Sequence, residues 1–559
     1  PGQREVAVAA YRALRDGKHV MIQAATGSGK TMGVLFPALK ALGAQLVDKV
    51  FYLTARTTGR LSAQQAVVKS IEAGAGLKSL TLTAKEKICF RPEAECDADL
   101  CEFARGYYDR LNTARVDAFG RDLLDRETLE VLARHHRVCP FEFSLDLSTW
   151  VDVIICDYNY AFDPAVYLRR LLEDDGGRRV FLVDEAHNLV DRGREMFSAG
   201  IRKEPLLALR RQIKGRQNTI FKSLGRINAW LVKCRKKCEL EGGSMTAPEP
   251  PEDLFPLLRG FCRATEKWLL AAGSVSHNLR DATLDVYFDL SRFLRVTEHY
   301  DETYSTCYEQ VGADLRVKLY CKDPSKQLNE ALQRSRAAIF YSATMTPADY
   351  FQSIFGCDET VRGLVLPSPF PKENLRLLIS NHISTLYRKR EETKDELTQA
   401  LAEFVRQKRG NYILYFPSYE YLRSVHISFT AECPDIDVLV QTPEMTETER
   451  DRFLRNFAYD NVESLVGFAV MGGVFGEGID LVGDRLTGAA VVGVGLPGIS
   501  PERELIREYF DRQGAGFEYA YLYPGINRVL QAAGRVIRSE TDKGVVLLID
   551  ERFTRTPYR

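Results

Sequence analysis

Eight residues, Ala24-Ala25-Thr26-Gly27-Ser28-Gly29-Lys30-Thr31, restrict what this chain can become more than any other segment. They fit a phosphate-binding loop, with Ala24 where the first glycine usually stands. The run before it, His-Val-Met-Ile-Gln-Ala at 19–24, predicts a short buried strand, and a helix is predicted from about Lys30. Gly27 and Gly29 let backbone N–H groups wrap a β-phosphate, and the following helix turns its positive end to the same charge. Lys30 is expected to reach the β- and γ-phosphates of ATP, and the Thr31 hydroxyl to ligate Mg²⁺. An eight-residue match arises by chance at a modest rate; the strand before it and the helix after it are what chance does not supply.

Such a loop belongs in a parallel α/β sheet, and the chain has the rhythm for one. Val50–Leu53, Val153–Cys156, Val180–Val183 and Ala337–Tyr341 read as further buried strands. A second alternating region holds Tyr412–Phe416, Ser464–Phe468, Ala489–Val494 and Val545–Ile549. At 559 residues the chain is too long for one core. The rhythm breaks between about 85 and 145, where cysteines and charges replace it, which reads as an insertion. It breaks again from about 190 to 330, where the periodicity is helical and Lys, Arg, Tyr and Phe are frequent. The proline-rich stretch Pro367-Ser368-Pro369-Phe370-Pro371 marks the join to the second region. No run of about 18 uncharged apolar residues is present, so no transmembrane helix and no membrane partner are expected. The chain opens Pro-Gly-Gln-Arg, without an initiating Met or a secretory pattern. That leaves room for upstream sequence and predicts a reducing, cytoplasmic setting.

Four further constellations follow the loop in order. Asp184-Glu185-Ala186-His187 ends the strand Val180–Val183, and a strand's C-terminal end is where an α/β site gathers its chemistry. Asp184 is expected to hold Mg²⁺, usually through water, and Glu185 to orient or deprotonate an attacking water. A lone Asp-Glu pair is often only an acidic helix start; the upstream loop tips the reading towards catalysis. Ser342-Ala343-Thr344 follows the next strand. Gly473 to Asp480, with Glu477, Gly478 and Asp480, follows a strand of the second region. Gln531-Ala532-Ala533-Gly534-Arg535-Val536-Ile537-Arg538 is expected on a helix, which sets Arg535 and Arg538 on one face. Two arginines brought by a second domain can neutralise charge developing on a transferred phosphoryl group, and Gln531 is grouped with them.

This ordered set resembles motifs I, II, III, V and VI of superfamily 2 helicases, and most of all the DinG/XPD family of iron–sulfur DNA helicases. The resemblance covers essentially the whole chain. It implies two RecA-like parallel-sheet motor domains, the first carrying an iron–sulfur insertion and a helical arch insertion. The implied domains are the first motor domain in three parts, 1–84, 146–190 and 331–365; the iron–sulfur domain, 85–145; the arch, 191–330; and the second motor domain, 366–559. Gln3 fits the upstream glutamine that contacts adenine, and Glu477, Gly478 and Asp480 join the nucleotide-binding set. Phe51–Thr57 is similar to the motif whose Thr54, Arg56 and Thr57 would touch the DNA backbone. Asp157-Tyr158-Asn159-Tyr160 resembles the segment before the acidic strand, and Ser418 and Tyr419 lie in a stretch that looks like motif IV. The implied activity is ATP-dependent 5′-to-3′ translocation on single-stranded DNA with unwinding of duplex or forked DNA in repair or replication. A monomer is implied, and a single-strand-binding protein is a candidate partner.

Cys89, Cys96, Cys101 and Cys139 lie in the first insertion, with gaps of six, four and thirty-seven residues, and Cys139 precedes a proline. Four thiolates suit a [4Fe–4S] cluster, and the spacing is similar to the family's iron–sulfur domain. A Cys₄ zinc site is the chemical alternative, although its pairs usually stand two to four residues apart; four unrelated cysteines is the plain one. Cys234 and Cys238 read as residues of a helix face.

Lys+Arg and Asp+Glu both total 76, so any basic surface must be local. Residues 201–238 hold twelve Lys/Arg and one acid, with apolar residues at helical spacing, which is either a solvated helix face or a surface for phosphates. Trp230, Tyr287, Phe288 and Tyr304 are candidates for stacking on bases, though such aromatics are more often core. Three other readings stand beside an unwinding motor. One is a nucleic-acid-stimulated translocase that remodels protein–DNA or RNA–DNA complexes. Another is the motor half of a nuclease–helicase. The third is a scaffold with a dead ATPase site, against which Lys30, Asp184, Glu185, Arg535 and Arg538 all count.

Overall fold

Runs of Val, Ile, Leu, Phe and Tyr without polar alternation form the central strands of two all-parallel sheets, where they are buried on both faces. A computed structural model of the protein describes residues 2–558 apart from 94–95, 97–99, 174–176, 216–217, 272–276, 460, 462, 474 and 477–480. The first sheet runs Arg362–Val365, Val20–Gln23, Ala337–Ser342, Arg179–Asp184, Lys49–Leu53, Val153–Cys156, Ser79–Thr81 and Leu123–Leu124. The second runs Leu375–Ser380, Gly544–Ile549, Gly488–Val492, Asn411–Phe416, Leu465–Val470 and Asp437–Val440. Helices Gln3–Asp16, Lys30–Gly43 and Thr57–Glu72 cover one face of the first sheet in a core that includes Val34, Tyr52, Leu182 and Tyr341. The other face merges into the packing of both insertions. These are the two RecA-like motor domains, and no helix among the described residues is long and apolar enough to cross a membrane.

The insertions depart from expectation in two ways. The segment 85–145 is not wholly apart from the sheet, since Leu123–Leu124 pairs with Ser79–Thr81 as an edge strand. Around it stand helices Tyr107–Phe119, Arg126–His136 and Pro140–Leu147. The arch, expected to be helical, carries a four-stranded antiparallel sheet, Ala199–Arg202, Asp314–Cys321, Tyr304–Val311 and Ser244–Ala247. Leu315, Val317 and Leu319 alternate there with Arg316 and Lys318, a period of two that the surrounding helical pattern hides. Its helices are Lys203–Gln212, Asn218–Leu240, Phe255–Ala271 and His277–Val296. Arg211, Lys222, Arg226, Lys233, Lys236 and Lys237 are exposed along the first two, with Arg202 exposed just before them, whereas Lys203 is buried. Trp230 and Tyr304 are core residues, as are Cys234 and Cys238, while Phe288 is 61% exposed.

Candidate active site

The loop after Val20–Gln23 takes the backbone that its glycines permit: Gly27 and Gly29 have φ of 83° and 74°, and the helix begins at Lys30. Lys30 is buried, and its Nζ donates to the Ala25 carbonyl at 3.2 Å. Gln3 reaches back from the first helix to the Gly29 carbonyl at 3.4 Å, which places its amide beside the loop. Gly27 lies against the second motor domain, where a Cβ would collide with the Arg538 carbonyl and come within 3.2 Å of Phe370.

Asp184 is the last residue of its strand, one beyond the run Val180–Val183. Glu185 follows with φ 46°, a left-handed turn that sends it off the strand direction. Tyr158 fixes this turn from below by donating its hydroxyl to the Asp184 and Glu185 carbonyls. Ser342 donates to Glu185 Oε2 at 3.0 Å, so the His187 Nδ1–H, 2.7 Å away, donates to Ser342. Thr54 donates to Asp184 Oδ2 at 3.4 Å.

Packing these charges together separates their behaviour. Burial, then the neighbouring Glu185 charge, pushes the Asp184 carboxyl up to about 7. Glu185 moves the other way: against burial, the Lys30 ammonium and then His187 and Arg535 hold it down at about 2. Burial drives His187 down to about 4 although Glu185 opposes this, so its ring is neutral at pH 7. Glu185 is thus ionised at neutral pH with one oxygen held by Ser342, the state a water-orienting base starts from.

The second motor domain closes the site. Gln531 lies in the last turn of the helix Tyr523–Ala533 and donates to Thr344 Oγ1 at 3.2 Å. Arg535 is buried and donates from Nε to the Gly476 carbonyl at 3.2 Å. Burial, then the Arg538 charge, lowers Arg535 to about 10. The two arginines do not share a helix face, because the helix stops at Ala533 with Gly534 as its cap and they stand in the turn beyond. They still converge. Ala25, Thr26, Gly27, Gly29, Lys30, Thr31, Asp184, Glu185, Gln531, Arg535 and Arg538 line one cavity of about 570 Å³ between the domains. Its concave wall offers backbone donors, cations and two carboxylates, the set needed to hold a triphosphate with a divalent ion and activate water.

Not every expected site residue falls where its assigned contact suggests. Thr54 is buried against Asp184, and Arg56 lines the cavity near Glu185; Thr57 is exposed. Ser418 caps the helix Tyr419–Glu432, and Tyr419 accepts from Gln441 at 3.0 Å. Glu477, Gly478 and Asp480 lie outside the described residues. Gly59, not foreseen, packs on the acidic site: a Cβ there would strike Thr54 and sit 2.6 Å from Asp184 Oδ2. Its only signal is a glycine two residues after Thr57 at the start of a helix.

Cys89, Cys96, Cys101 and Cys139 are all free thiols. Lys85 hydrogen-bonds Cys96 and feels the charges of Cys89 and Cys139, which raise its pKa. Burial pushes the Cys139 thiol up, while backbone N–H groups of Glu142 and Phe141, in the first turn of the helix Pro140–Leu147, pull against it. A cation and amide donors turned on sulfur favour thiolates, so the donor chemistry fits a thiolate-bound group.

The sequence matches the DEAD/DEAH box helicase family over residues 1–87, the DEAD_2 family over 62–206 and the helicase C-terminal domain family over 401–559. ATP-dependent DNA helicase YoaA of Escherichia coli is 23% identical over 603 residues, covering all of this chain and 92% of YoaA. ATP-dependent DNA helicase CHL1 of Meyerozyma guilliermondii is 22% identical over 586 residues, covering 90% of this chain and 70% of CHL1. A solved XPD helicase has the same fold, with a TM-score of 0.67 at 17% identity over all of this chain and 96% of its own. With the site and the order of its motifs, these matches support the DinG/XPD type of superfamily 2 helicase as the family of this chain.

Proposed function

We propose that the chain uses ATP hydrolysis to move 5′ to 3′ along single-stranded DNA and to unwind duplex or forked DNA, in repair or replication. One observation carries this reading: Lys30, Asp184 and Glu185 from one sheet and Gln531, Arg535 and Arg538 from the other line the same cavity. Hydrolysis there is coupled by construction to the closing and opening of two domains, the stroke a translocase needs. Glu185 orients the attacking water and takes up its proton as the γ-phosphoryl leaves ADP. Lys30 and the two arginines neutralise charge on the transferred group. Thr31 and Asp184 would hold Mg²⁺, which supplies charge neutralisation at the phosphate oxygens. The named activity of YoaA and CHL1 supports DNA as the track. The exposed cations of the arch helices, with Thr57 and Tyr419, are the surfaces offered to a strand. Cys89, Cys96, Cys101 and Cys139 would hold a [4Fe–4S] cluster, which would supply a rigid cross-link bracing the inserted domain.

The test is unwinding of forked DNA bearing a 5′ or a 3′ tail, with Lys30→Ala as control. Unwinding that needs ATP, the 5′ tail and Lys30 supports the proposal; preference for the 3′ tail overturns the polarity. ATP turnover that strips proteins from DNA without separating strands would favour the remodelling translocase. Iron and sulfide analysis of anaerobically purified protein addresses the cluster. About four irons per chain, lost in Cys101→Ser, is the expected result; zinc in place of iron overturns it.

A further inference from the structure

The helices Tyr107–Phe119 and Arg126–His136 of the inserted domain pack together and bring their C-terminal ends side by side. Asp117 stands in the last turn of the first, and His135 and His136 close the second. His136 Nε2 lies 2.9 Å from Asp117 Oδ2. The His135 and His136 rings are 4.7 Å apart and nearly perpendicular, at 86°. One ligand atom from each of the three residues lies within 4.8 Å of the other two, and among the described residues no other His/Cys/Asp/Glu group of three converges so closely. We infer that Asp117, His135 and His136 form a second metal site, for a divalent ion of the zinc class.

The donor set argues for that class. Two imidazole nitrogens and a carboxylate oxygen suit a borderline ion, whereas Mg²⁺ and Ca²⁺ call for oxygen throughout. Zinc bonds of about 2.0–2.2 Å in a tetrahedron place ligand atoms about 3.3 Å apart, so small side-chain rotations from the observed spacing suffice. An ion pair alone accounts for His136 and Asp117 but not for His135, whose ring has no hydrogen-bond partner among the described residues. Both helices also end here, and the negative ends of their dipoles favour a cation. The side chains of His136 and Asp117 are 12% and 41% exposed, so one flank is open and leaves a coordination position for water. His136 stands three residues before Cys139, so an ion here would clasp the helix end that leads to that cysteine.

The full chain, purified without oxygen, is equilibrated with zinc chloride, passed over a desalting column and analysed for zinc per chain. Parent, His135→Ala and Asp117→Asn are compared, so zinc held by cysteines cancels. The parent is expected to retain one zinc more than either variant, and calorimetric titration to show the same lost site. Equal zinc in parent and variants, with far-UV circular dichroism unchanged, overturns the inference. The visible spectrum of each sample separates this outcome from failure of the cluster reading, since the zinc difference does not depend on what the four cysteines hold.

Discussion

Gln531 of the second motor domain donates its side-chain amide to the Thr344 hydroxyl of the first, 3.2 Å away and buried. This bond spans the cleft beside Glu185, because Thr344 also donates its backbone N–H to Ser342 and Ser342 donates to Glu185. The state of the domain interface therefore reaches the Glu185 carboxylate through two side chains. Gln531→Ala breaks the chain at its first link. A buried hydrogen bond contributes about 1 kcal/mol, rising to about 3 when its partner is left unsatisfied, so ATP turnover should fall roughly 5- to 150-fold. Steady-state kinetics should place the loss in kcat more than in KM for ATP; a change confined to KM contradicts this relay.

Gly59→Ala tests the packing on Asp184. The added methyl would sit 2.6 Å from Asp184 Oδ2, closer than real contacts allow, and the carboxylate or the helix start must shift. The expected result is a rise in the Mg²⁺ concentration needed for half-maximal ATPase, with the melting temperature little changed. An unaltered Mg²⁺ requirement would show that the helix start simply yields.

Asp191 and Arg503 meet across the domains at 3.3 Å, and Arg194 approaches Asp191 from its own helix at 3.2 Å. Asp191 is exposed but Arg503 is largely covered, and a pair of this kind contributes up to about 1 kcal/mol, or about fivefold in a domain-closing equilibrium. Asp191→Asn should weaken apparent ATP affinity within that range. The exchange Asp191→Arg with Arg503→Asp should recover part of it; equal loss in single and double variants would mean that the pair is not coupled.

Acid stability reports on His187. Its folded pKa, about 4, lies below the unfolded value of about 6.5, so the unfolded chain takes up a proton that the folded site refuses. That contribution to stability is complete above pH 6.5 and is lost as pH falls towards 4, by roughly 3 kcal/mol at most. Asp184 has the opposite sign over the same window, since its pKa is raised. Comparison with His187→Asn isolates the histidine: melting temperatures of parent and variant should converge as pH drops from 6.5 to 4.5. Parallel curves would contradict a neutral buried ring.

How much of this was legible depended on whether a feature is local. Lys30, Asp184 and Glu185 follow strands that a four-residue apolar run already announces, so their placement could be read from the chain. The arch sheet could not, because the alternation of Leu315 and Val317 with Arg316 and Lys318 is short and follows long helices. The helix stop at Gly534 was hidden because the sequence continues in apolar helix-like residues, Val536 and Ile537, which turn out to pack in the second domain's core. Thr54 beside Asp184 rests on a contact 130 residues apart, and no local pattern carries a contact of that span.

The Arg538 carbonyl occupies the space where a side chain at Gly27 would be. The nucleotide cradle is therefore also a seam: its floor belongs to one domain and its lid to the backbone of the other. Any widening between the domains at this point therefore also uncovers the phosphate loop.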